Sequence, residues 1–188
     1  MIKRGLVWFK NDLRVHDNEA LSTAQKECRE LVFCYCIEEE GFQKSALGFR
    51  RADVNRFRFL EQSLVKLRDN LEQLGGHLVI GAESALITIP GLVKKYGITD
   101  IFAEQEYAPY ELDLVDDVVT ALPEVNFHFF WGKTLYHKYD IPFEIAKIPL
   151  TSKAYRIPVS KSSVPRKVFD VPNRLVGVED VKTGKFPS

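Results

Sequence analysis

Residues 8–21 read WFKNDLRVHDNEAL, and the way this stretch folds decides how the rest is read. Its first two residues close a short continuous apolar run, residues 3–9, of the kind a strand covered on both faces requires. A polar loop follows, and Asp17 or Asn18 is placed to cap a helix running through Glu19, Ala20, Leu21 and Ala24. In an open α/β sheet, ligands sit outside the carboxyl ends of the strands, so a loop between such a strand and helix is a natural place for a cofactor contact.

The same alternation continues outward. Residues 31–37 read as a second strand, and residues 38–48 as an acidic, then Gly/Ser-containing, loop. Phe57, Leu60, Leu64, Leu67, Leu71 and Leu74 then step by three and four, which predicts an amphipathic helix of about six turns. Gly75 and Gly76 are suited to stop it. Residues 77–81 predict a third strand and residues 83–96 a helix, with Pro90 marking a kink or a first turn. Residues 100–103 predict a fourth strand. Pro109 then suits the first turn of a helix carrying Leu112, Leu114, Val115, Val118, Val119 and Leu122, and residues 126–131 close the series as a fifth strand.

Strands alternating with helices imply a doubly wound, Rossmann-like α/β fold with a five-stranded parallel sheet of order 3-2-1-4-5. The switch point then falls between strands one and four, and the facing loops are residues 10–18 and 104–111. After Gly132 the prolines are scattered and no helical period is sustained. Residues 1–132 are therefore expected to form the α/β domain and 133–188 an irregular arm, locally basic at Lys153, Arg156, Lys161, Arg166 and Lys167.

Composition narrows the function. Of the 188 residues, 45% are hydrophobic, and 26 Lys+Arg balance 26 Asp+Glu, so no global field argues for nucleic acid or an anionic membrane. No signal peptide or membrane-spanning run is present in the sequence, which implies a cytoplasmic protein, or an organellar one stripped of a transit peptide. Cys28, Cys34 and Cys36 lack metal spacing; the last two alternate on one strand face as buried thiols. His16, His77, His128 and His137 have no paired spacing for zinc. There is no GxGxxG, GxxxxGK[ST] or GxSxG motif, so neither a phosphate cradle nor a nucleophile elbow is supported.

What remains is the second crevice loop, EQEYAPYE at residues 104–111. A carboxylate there can accept parallel N–H bonds from a ring bearing an amino group beside a ring N–H, the edge presented by pterins and guanine. Aromatic rings can cover the face of such a heterocycle. Arg14 is expected to tie the first loop together by pairing with Asp12 or Asp17.

These residues resemble the photolyase/cryptochrome family. WFKNDLRVHDNEAL is similar to its amino-terminal signature, with Lys10 where an Arg is usual. GFRRADVNRFRFLEQSLVKLRDNLEQLGGHLVI resembles its long second helix and third strand, and TLYHKYDIPF followed by IPLTSKAYRIPV resembles the DASH-type branch. The resemblance implies an antenna-binding domain, with methenyltetrahydrofolate as the chromophore. Glu111 matches the glutamate that bonds the pterin ring, Tyr110 precedes it, and Phe9, Lys10, Asn11 and Asp12 match a loop lining the antenna pocket. Glu38 is expected as a further wall.

The resemblance also implies a carboxy-terminal helical domain that holds FAD and meets DNA. That domain would lie outside these residues, so the chain alone is expected to show no photolyase activity. The competing expectation is a stand-alone nucleotide-binding or interaction module of universal-stress or electron-transfer-flavoprotein type. It would use the same crevice for an adenine nucleotide, yet the second loop carries no phosphate-binding glycines.

Overall fold

The computed structural model describes residues 2–38, 42–44, 47–50 and 52–184. Five strands and five α-helices follow in the order β1 (Arg4–Phe9), α1 (Glu19–Glu27), β2 (Glu30–Cys36), α2 (Val54–Leu74), β3 (Leu78–Gly81), α3 (Ala85–Tyr96), β4 (Asp100–Glu104), α4 (Pro109–Ala121), β5 (Asn126–Phe130) and α5 (Ser152–Ser162). The strands form one parallel sheet of order β3-β2-β1-β4-β5. This is the expected doubly wound arrangement, with the switch point between β1 and β4.

Both faces of the sheet are covered, which explains why its strands read as unbroken apolar runs rather than alternating ones. Val7, Phe9, Phe33 and Phe102 face α1 and the carboxyl half of α2, packing against Leu21, Leu64, Leu67 and Leu71. Leu6, Trp8, Cys34, Cys36 and Ile101 face α3 and α4, packing against Ile89, Val115 and Val118. Cys34 and Cys36 therefore do share a face, with their sulfurs 3.7 Å apart.

Local chemistry sets the helix ends. Asn18 caps α1, its Oδ1 accepting from Leu21 N at 2.9 Å. Gly75 ends α2 at φ +93°, and a Cβ there would meet the Leu175 carbonyl oxygen at 2.8 Å, so only glycine suits both the turn and the approach. Pro90 lies in the second turn of α3, not the first.

Part of the 38–48 loop lies outside the described residues. Beyond β5 the chain is mostly irregular, but α5 interrupts it. Pro158 within that helix and its polar composition hid the period. Arg166 in this arm clasps Asp140 through two hydrogen bonds of 2.5 and 2.9 Å. The chain then returns to the sheet. Leu175 and Val178 enter the two cores, Leu175 N bonds Leu74 O at 2.7 Å, and Ile80 N bonds Thr183 O at 3.1 Å.

Candidate functional site

At the carboxyl ends of β1, β2 and β4 lies a cavity of about 420 Å³, within the size range of small-molecule sites. Its existence follows from a mismatch in lengths. The 21 residues of α2 span about 31 Å at 1.5 Å each, whereas the 7 residues of β2 span about 23 Å. The amino-terminal half of α2 overhangs the sheet, and Arg56, Phe59, Leu60 and Ser63 of that half form one wall. The start of α4 forms the opposite wall through Tyr110, Glu111, Leu114 and Val115.

Six of the seven residues singled out from the sequence line this cavity: Phe9, Lys10, Asn11, Glu38, Tyr110 and Glu111. Glu38 is also tied to α3, its Oε1 accepting from Ala85 N at 2.9 Å. Asp12 departs from the set. Its carboxylate accepts from Lys10 N at 3.0 Å and from Asn18 Nδ2 at 3.0 Å. It is turned toward a smaller recess of about 100 Å³ on the other side of the loop. The expected ion pair of Arg14 is not formed with either carboxylate among the described contacts. Arg14 Nε instead donates to the Asp17 main-chain oxygen at 3.1 Å, while Asp17 Oδ1 accepts from Phe169 N at 3.1 Å.

The inner wall carries buried charge. Lys10 follows β1 and Glu106 follows β4, so strand pairing places them side by side. Lys10 Nζ and Glu106 Oε1 stand 3.5 Å apart, with side chains 12% and 4% exposed. Neither atom has a hydrogen-bond partner. Glu106 Oε2 is engaged by the Lys133 ammonium. The Lys10 ammonium also lies 4.8 Å from the centre of the Trp8 ring. Burial pulls the pKa of Lys10 below that of an ordinary lysine, against the opposing pull of Glu106 and Asp12.

Glu104 sits behind this pair. Burial, then the negative charge of Asp12, pushes its carboxyl up to about 7. Tyr35, on the cavity floor, is likewise raised by burial to about 12 and stays a neutral phenol.

Sequence reasoning missed Glu106, Tyr35, Arg56 and Phe59 as wall residues. Glu106 was visible as one carboxylate among several in the second loop. Arg56 and Phe59 occupy the polar side of the α2 pattern and gave no signal. Tyr107, a candidate ring cover, packs instead edge-on against Trp131 at 4.7 Å.

The DNA photolyase family pattern matches residues 5–168. The chain is 34% identical to the blue-light photoreceptor PHR2 of Arabidopsis thaliana, over 99% of its own length and 42% of the relative's. It is 35% identical to cryptochrome DASH of Gloeobacter violaceus, over 98% and 37% of the two lengths. The crystal structure of a Synechocystis cryptochrome superposes with a TM-score of 0.91 at 30% identity, covering 97% of this chain and 38% of that one. The chain thus spans about two fifths of the relatives it matches. Sheet order, crevice and these matches agree, and the chain belongs to the DNA photolyase family, carrying its amino-terminal α/β domain.

Proposed function

We propose that this chain holds an antenna chromophore, a folate, in the cavity between β1, α2 and α4. The observation that carries the reading is the convergence of Glu111, Tyr110 and the loop after β1 on one cavity of about 420 Å³ at the switch point. The donor set fits a pterin ring. The Glu111 carboxylate can accept its amino and ring N–H groups, and Phe59 and Leu60 offer apolar wall.

A bound folate supplies near-UV to blue absorption. The residues of this chain hold it, orient it and exclude water from it. In the whole protein the excitation would serve FAD in a helical domain, for light-driven repair of pyrimidine dimers or for photoreception. The cytoplasm or an organelle would be its setting, as one Arabidopsis cryptochrome DASH is named chloroplastic/mitochondrial. No described helix is long and apolar enough to cross a membrane.

Absorbance of the purified chain titrated with methenyltetrahydrofolate tests the reading. Saturable binding with a shifted near-UV band is expected. Glu111→Gln should weaken it by about 1.5 to 3 kcal/mol, the worth of a charge-assisted hydrogen bond. Adenine-nucleotide binding without folate binding would sink the proposal.

A further inference from the structure

The recess of about 100 Å³ on the other side of the first loop has no part in antenna binding, and it shares no wall residue with the larger cavity. Glu104, the last residue of β4, lines it and is only 5% exposed. The Glu104 carboxylate makes no hydrogen bond among the described residues, yet neither of its oxygens is sealed from solvent. The little surface that this side chain keeps therefore includes its oxygens, which open into the recess. Gly132 lies against Oε1, where a Cβ would stand 2.6 Å away, so the missing side chain leaves that approach clear.

The positive charges that act on Glu104 are those of Lys133 and Arg14, and both are committed elsewhere. Lys133 engages Glu106 and stands 3.9 Å from Glu104 Oε2, a long ionic contact with no hydrogen bond. Arg14 Nε donates to the Asp17 main-chain oxygen at 3.1 Å. Buried carboxylates are ordinarily hydrogen-bonded and paired, so what this one lacks is a cationic donor.

We infer that the recess is a site for a guanidinium group, whose parallel N–H donors the Glu104 carboxylate accepts. Phe130 and Phe169 line the same recess, and guanidinium is the cation that both forks onto a carboxylate and packs flat on an aromatic ring. The space, that of about three water molecules, admits such a head and excludes a pteridine. The head belongs to an arginine side chain of a docked segment or to a free guanidino compound, two sources of one chemistry. The inference is independent of the folate reading.

The test titrates methylguanidinium chloride into the full chain at constant ionic strength. Burial pushes the Glu104 carboxyl up to about 7, so the titrations are run at about pH 8, where it is ionised. The Trp131 indole lines the recess and donates from Nε1 to Thr134 Oγ1 at 2.7 Å, and its N–H resonance reports occupancy. Saturable movement in the millimolar range is expected of so small a ligand. Tetramethylammonium, a cation without N–H donors, and urea, a planar donor without charge, should each bind at least about tenfold more weakly.

Glu104→Gln removes the charge, and Gly132→Ala fills the approach to Oε1; each should weaken methylguanidinium binding by about tenfold or more. No saturable movement would mean that the recess holds solvent alone and overturns the inference. An equal response to either control probe, or an unaltered affinity in either variant, overturns it too. The probe comparison uses the unmodified chain, so it stands even where a variant does not fold. Nα-acetylarginine amide then separates the sources: tighter binding than methylguanidinium assigns an arginine side chain, and equal or weaker binding a free guanidino compound.

Discussion

Asp12 is two residues beyond Lys10 and uses its carboxylate on the Lys10 main-chain N–H and the Asn18 side-chain amide. It thereby joins the end of β1 to the cap of α1, and is nearly fully buried. Asp12→Ala should cost about 2 to 4 kcal/mol by leaving those donors unpaired, seen as a lower urea midpoint. An unchanged midpoint would contradict the role. Glu104 works in the opposite sense. Its folded-state pKa of about 7 lies above the ordinary 4.5, so the folded protein binds the extra proton between those values. Stability from this group is therefore greatest below 4.5 and declines as pH rises through 7. Glu104→Gln should be more stable than the parent at pH 8 by about 1 to 3 kcal/mol, with the gain vanishing toward pH 4.5; thermal melts at both pH values check this.

The helix α2 does two jobs along its length. Leu64, Leu67 and Leu71 are buried against the sheet, whereas Phe59 in the overhanging half is 70% exposed. Leu67→Ala should therefore cost about 2 to 5 kcal/mol, while Phe59→Ala should change stability by less than about 0.5 kcal/mol yet alter ligand affinity. Denaturation and titration of the two variants separate the roles. This helix also shows where sequence reading stops. Its three-and-four spacing revealed the helix and its apolar face, because burial on one side imposes a period. Nothing in that period says where the sheet beneath it ends, so the cavity wall at Arg56 and Phe59 was invisible. The crevice loops were legible because strand order alone puts them together. The partition within them, Lys10 inward and Asp12 sideways, depends on backbone directions that residue types do not encode. Helix α5 was hidden for the reverse reason: it buries only Val159, so no apolar stripe was needed.

At the scale of the molecule, the return of the chain after the irregular arm matters most. A unit boundary near residue 132 remains a proposal about sequence character, since Leu175 belongs to the same core as Phe33 and Leu71. Leu175→Ala should cost about 2 to 4 kcal/mol with an unchanged dependence on denaturant, as expected of one cooperative unit. A silent substitution would mean that the tail is separable. The bond from Ile80 N to Thr183 O carries a different consequence. In the order β3-β2-β1-β4-β5, β3 is an edge strand, and an edge strand offers unpaired N–H and C=O groups to any other extended chain. The tail covers part of that edge at Ile80, so proteolytic nicking before residue 175 would do more than loosen the fold. It would expose a ready partner for strand addition, and concentration-dependent aggregation would follow from a cut far from the ligand cavity.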